Sequence, residues 1–190
     1  MSARQDAYIA ELVLSRPEVV AAMFFGCVLI GGAALALARW RRWRPVPSVL
    51  AGCGLALALA VTLGRPGALG VGVWTTDLIG MCVPNEFSLT GSLARLNLLM
   101  LMPFAFFATL ATGRPVVVFA LSAGLSGAVE LVQGATGLGV CEAQDFYNNT
   151  VGALGGVLVG ALVGALVTVV TGGSRTRRAG RSSREPVAMG

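Results

Sequence analysis

Of the 190 residues, 55% are hydrophobic and only 12% are charged, about half the charged fraction of an ordinary soluble domain. The sequence has no histidine, which removes imidazole acid–base catalysis and the commonest metal ligand. The net charge of +5 rests on arginine alone, and these arginines gather at the ends of apolar runs instead of forming a stripe for nucleic acid.

Several apolar runs approach the ~20 residues that cross a bilayer. In chain order the expected spans are 19–38, 46–63, 93–112, 115–133 and 148–171. The fold class is therefore an all-α membrane protein, a compact bundle of about five transmembrane helices within one membrane domain over residues 1–171. Arg39, Arg41, Arg42 and Arg44 follow the first span, Arg114 separates the third from the fourth, and Arg175, Arg177, Arg178, Arg181 and Arg184 follow the last. Placing these ten of the fourteen basic residues inside satisfies the positive-inside rule, with the N-terminus outside and the C-terminus inside. Asp6, Glu11, Glu18, Asp77, Glu86, Glu142 and Asp145 then share the outer side. The basic cluster follows the first apolar run, whereas a cleaved signal peptide has its basic region first, so this run reads as a retained anchor.

The outer segment 64–92 carries Trp74, Asp77, Cys82 and the run Pro84-Asn85-Glu86-Phe87. It reads either as a loop anchored at the headgroups by Trp74 and Phe87 or as a re-entrant cap. Cys27 and Cys53 fall within spans and read as packing residues. Cys82 and Cys141 both fall in outer loops, where an oxidising exterior lets a bridge persist, so a disulfide between them is expected. The basic tail 172–190, rich in Arg, Ser and Gly, reads as disordered, either a topology determinant or an arginine patch for lipid headgroups.

Polar residues converge at one membrane depth. Glu130 and Gln133 are three apart at the outer end of the fourth span, on one helical face. Asp145, Asn149 and Gly152 fall at i, i+4 and i+7 where the fifth span begins, and the short intervening loop makes the two helices antiparallel neighbours. Asn97, with Arg95 nearby, lies at the outer end of the third span. Ionisable groups at this depth cost about 2.5–3.5 kcal/mol each on insertion scales, so they mark a site or a polar lock between helices. Facing carboxyl groups suit acid–base chemistry, proton coupling or headgroup binding; the alternative is that Arg95 neutralises Glu130 or Asp145, and the sequence alone does not separate these outcomes. Gly152, Gly156, Gly160 and Gly164 form a small-residue ridge for close helix packing. Pro103 is expected to kink the third span.

Asn97 before its apolar stretch, Glu130-Leu-Val-Gln133, and Asp145-Phe-Tyr-Asn-Asn149-Thr-Val-Gly152 together resemble the VanZ-like family of bacterial integral membrane proteins. The resemblance covers about 82–164, and Cys82-Val-Pro-Asn85 with Cys141 is similar to its cysteine-bearing members. The family commonly has an arginine shortly before the aspartate element, where this chain has Gly139. The resemblance implies a multi-pass protein of the bacterial cell membrane, with a cell-envelope role linked to susceptibility to glycopeptide-type antibiotics. On this reading the chain binds a lipophilic or lipid-linked ligand at the outer leaflet, with Asn97, Gln133, Asn149 and Arg95 as contacts. The alternative is a membrane-embedded cyclase, dehydratase or hydrolase of secondary metabolism, with Glu130, Asp145 and Glu142 as catalytic acid and base. A transporter is a third reading, disfavoured by the absence of an internal repeat. Membrane lipids and the lipophilic ligand are the expected partners; no nucleic acid, metal or cofactor is expected.

Overall fold

The computed structural model describes residues 3–63, 82–136 and 141–182. Gly139, Trp74 and Asp77 lie outside the described residues. Helix α1 (Ala3–Leu14) is followed by α2 (Pro17–Arg41) and α3 (Pro45–Leu63), then by the two-residue strand β1 (Cys82–Val83). Helices α4 (Ser92–Met100), α5 (Met102–Thr112) and α6 (Pro115–Thr136), strand β2 (Cys141–Glu142) and helix α7 (Ala143–Ser182) complete the chain. Five stretches are long and apolar enough to cross a membrane: α2, α3, the α4–α5 pair, α6, and α7 as far as Val170. Phe24, Leu29, Leu121, Leu158 and Val169 are exposed on their surfaces, an arrangement that fits lipid and not water.

The helix ends follow local chemistry. Pro17 occupies the first turn of α2, where a missing N–H costs nothing, and Glu18 faces the positive pole of the helix. Arg39 and Arg41 lie in its last turn, and the chain leaves through Arg42 in the left-handed region, with Trp43 N–H donating to Ala38 O at 2.8 Å. Gly113 ends α5 in the same left-handed conformation (φ 67°), and Pro115 opens α6. These two turns meet, because Arg44 N–H donates to Ala111 O at 3.3 Å.

The third span is broken, as Pro103 leads one to expect. α4 stops at Met100, Leu101 adopts φ −89° and ψ −8°, and α5 begins at Met102. Pro103 has no N–H to offer the Leu99 carbonyl, so the helical ladder is interrupted there. α7 packs along the break. A Cβ added at Gly152 would overlap the Leu98 carbonyl oxygen, and one at Gly160 would lie 2.8 Å from that of Phe106. The glycine ridge thus lets α7 approach the backbone of the broken span. α2 and α3 use the same device, since a Cβ on Gly52 would sit 2.8 Å from the Cα of Gly31.

Two outcomes depart from the hydropathy reading. α1 is a helix that packs against α4. α7 begins at Ala143, ahead of the expected start at Asn148, and runs beyond the expected end at Thr171 to Ser182. Hydropathy marks only the apolar middle of this helix, while its backbone hydrogen bonding continues through polar residues at both ends.

Candidate functional site

The expected disulfide is present. Cys82 and Cys141 are bridged with Cα atoms 4.5 Å apart, and β1 and β2 pair in parallel with Cys82 opposite Cys141 and Val83 opposite Glu142. The bridge joins positions 59 residues apart and brings the 84–90 loop to the start of α7. The first-turn amides of a helix have no partner of their own. Here Asn85 supplies one: its Oδ1 accepts from Gln144 N–H at 2.7 Å, while its Nδ2 donates to Glu142 Oε2 at 3.1 Å. Gln144 Nε2 and Asn148 Nδ2 donate to Ser88 O at 3.3 and 3.0 Å, closing the loop over the helix end.

Beneath this cover lies Glu130, buried at 5% exposure near the C-terminal end of α6. Its Oε2 accepts from the Glu142 backbone N–H at 3.0 Å. Glu142 and Asp145 are both close enough to act on Glu130 electrostatically, and the Asn97 side chain is close enough to act on Asp145. α4, α6, β2 and α7 therefore bring Asn97, Glu130, Glu142 and Asp145 to one place. Asn149, buried at 2% exposure one turn below Asp145, joins them from α7.

Two residues go elsewhere. Gln133 Nε2 donates to Thr62 O at 3.2 Å, tying α6 to the end of α3. Arg95 pairs with neither Glu130 nor Asp145. Its guanidinium grips Asp6 of α1 with two bonds of 2.6 and 2.7 Å and also donates to Leu89 O. That bidentate contact, with help from Ser92, lowers the Asp6 pKa from 3.8 to about 2. Among the described residues no arginine is bonded to the carboxyl cluster.

Several buried polar atoms here have no partner, two of them amide oxygens that can only accept. Asn148 Oδ1, Asn149 Oδ1 and Ser126 Oγ are buried without a protein partner, a state that costs about 1–3 kcal/mol per group. Ser126 and Asn149 share a chamber of about 10 Å³ with Thr62, Met100 and Leu101, near the lower limit for a single water. On the other side of Met100 an apolar crevice of about 180 Å³ runs between α1, α3 and α4, lined by Val13, Leu57, Val61, Leu93 and Leu96, with Asn97 as its polar member. Met100 borders both spaces.

Sequence reasoning missed Asn85, Ser88, Gln144, Asn148 and Ser126. The spacing Ser122–Ser126–Glu130, a polar residue every four on one face of α6, was a usable signal for Ser126. Asn85 and Ser88 carry no such periodicity, because only the disulfide brings their loop to α7.

No curated protein and no solved structure matches the chain. A family model described as VanZ/LLP1 matches residues 72–167, a stretch that contains every residue of the carboxyl cluster. The match covers just over half of the sequence, and the chain belongs to the VanZ/LLP1 family.

Proposed function

We propose that this VanZ/LLP1 family membrane protein binds a lipophilic or lipid-linked ligand at the carboxyl cluster and thereby affects susceptibility to glycopeptide-type antibiotics. The observation that carries the binding is the buried, unpartnered Asn149 side-chain oxygen, one helical turn from Asp145, in a small chamber that shares Met100 with an apolar crevice. The antibiotic link rests on the family resemblance. The arginine rule puts this end of the bundle, and the N-terminus, outside the cell.

The chemistry of the cluster selects the ligand. Three carboxyl groups and orphaned amide oxygens accept hydrogen bonds, and Arg95 is committed to Asp6. Gly139 stands where the family commonly has arginine, and among the described residues an anionic headgroup finds no free cation here. The fitting ligand is an amphiphile whose polar end donates hydrogen bonds, an ammonium or a sugar hydroxyl, with its chain in the crevice. Dodecylamine, glycerol monolaurate and dodecyl phosphate test this against the full chain in phosphatidylcholine nanodiscs. Saturable binding of either donor probe, at least tenfold tighter than the phosphate and weakened by Asn149→Leu, is the expected result. Tighter binding of the phosphate overturns the ligand chemistry, and no saturable binding of any probe overturns the site.

The convergence of Glu130, Glu142 and Asp145 favours a second reading, an acid–base enzyme acting on a lipophilic substrate. A Glu130→Gln variant that still binds the amphiphile but no longer converts it distinguishes the two, since a pure binding protein converts nothing in either form.

A further inference from the structure

The opposite end of the bundle carries a second site that the carboxyl cluster does not explain. A cavity of about 720 Å³ opens between the α2–α3 turn, the α5–α6 turn and α7. Arg42, Trp43 and Arg44 form one wall, Thr109 and Gly113 another, and the small residues Gly160, Ala161, Gly164 and Ala165 of α7 form the floor. We propose that this cavity binds an anionic membrane phospholipid, with Arg42 and Arg44 on the phosphate and an acyl chain along the small-residue face of α7.

Three observations support it. The first is charge without compensation. No Asp or Glu occurs at 19–76, 87–129 or 146–184, so Arg39, Arg41, Arg42, Arg44 and Arg114 have no carboxylate near them in sequence. Among the described residues the one ion pair is Arg95–Asp6, at the other end of the bundle. Arg41 lies 4.6 Å over the Trp40 ring, whereas Arg42 and Arg44 border the cavity. Basic pockets between transmembrane helices are a recurring means of holding anionic headgroups.

The second is an unpartnered polar atom. Thr109 is 2% exposed, lines the cavity, and its Oγ1 has no hydrogen-bond partner. A phosphate or glycerol oxygen supplies one. The third is the floor. The ridge of α7 that packs on α4 and α5 loosens along its length: a Cβ at Gly160 would lie 2.8 Å from the Phe106 carbonyl oxygen, one at Gly164 3.8 Å from Leu110 Cδ2, and Ala161, Gly164 and Ala165 border the cavity. A cavity floored by Gly and Ala beside two arginines offers an acyl chain small side chains to lie against and a phosphate its counter-charge. The positive-inside rule puts this end in the inner leaflet, so the lipid is that of the leaflet in which the arginines sit.

The test is native mass spectrometry of the full chain released from nanodiscs of phosphatidylcholine containing about one-third phosphatidylglycerol, with thermal stability measured on the same samples. The wild type is expected to retain phosphatidylglycerol and to melt higher than in phosphatidylcholine alone. Arg42→Asn combined with Arg44→Gln is expected to lower retention at least tenfold; Asn tolerates the left-handed backbone that Arg42 adopts (φ 56°). Ala165→Phe, which fills the floor and leaves the charges in place, is expected to do the same, so the result does not rest on one variant. Arg41→Gln, off the cavity, is expected to retain the lipid. Equal loss from Arg41→Gln shows a diffuse charge effect and overturns the site. So does retention by both cavity variants, and so does displacement of the lipid by millimolar inorganic phosphate, which shows an anion site without a lipid.

Discussion

Asp6 and Arg95 join two helices that the sequence holds 89 residues apart. The Asp6 carboxyl, drawn from 3.8 to about 2 by the guanidinium, contributes to docking of α1 while it is ionised. A lowered pKa gives a contribution fully present above the unfolded value and lost as pH falls through the folded one. Protection of the α1 amides, taken relative to their intrinsic exchange at each pH, is therefore expected to fall between about pH 4 and pH 2, and the Asp6→Asn variant is expected to show the low protection at all pH values. Protection in the wild type that does not change with pH contradicts the pairing. Glu130 anchors the cover from below. Glu130→Ala leaves the Glu142 N–H without its acceptor and is expected to cost about 1–3 kcal/mol, read from thermal unfolding. Glu130→Gln keeps an acceptor oxygen and is expected to cost much less. Glu130, Asp145, Asn97 and Asn149 were legible because helical spacing and a common depth put them together. The sequence left open whether Arg95 neutralises Glu130 or Asp145; it does neither, because its partner lies on a helix that hydropathy does not announce. Gln133 shares a side of α6 with Glu130, yet its position there meets the end of α3 and not α7.

Among the elements, the broken α4–α5 span and the glycine ridge of α7 are one device. Gly152→Ala forces a methyl into the Leu98 carbonyl, so the helices must separate, and a loss of about 1–3 kcal/mol is expected in thermal unfolding. Gly124→Ala, on a helix face with nothing within 4 Å, is expected to be neutral or to stabilise by up to about 1 kcal/mol. Equal effects from the two would show that close packing at Gly152 is not what matters. The disulfide acts on a longer scale. Cys82→Ser opens a closure of 59 residues and is expected to cost about 4 kcal/mol in the chain-entropy picture, well above Cys27→Ala. Similar melting temperatures for the two variants would deny the bridge that role. The kink at Pro103 and the ridge were readable because proline lacks a donor and glycine lacks a side chain. The β1–β2 pair was not, since two-residue strands leave no periodicity and are joined by the disulfide between their own first residues.

The molecule as a whole is polarised. One end holds the carboxyl cluster under a disulfide-pinned cover, and the other holds the arginine turns. The five spans follow from hydropathy alone, because a ~30 Å apolar slab demands them. The functional end does not, because it depends on which polar atoms remain unpartnered after packing, and that is a property of the folded chain. The central claim is that an amphiphile reaches this end with its chain between α1, α3 and α4 and its donor group toward Asn97 and Asn149. The most direct measurement is photolabelling of the full chain in phosphatidylcholine nanodiscs with dodecylamine bearing a diazirine on its alkyl chain, followed by mapping of the labelled peptides. Label is expected on Val13, Leu57, Leu93 and their crevice neighbours, competed by excess dodecylamine. Label spread over the lipid-facing residues of α2, such as Phe24 and Leu29, and unaffected by competition would contradict it.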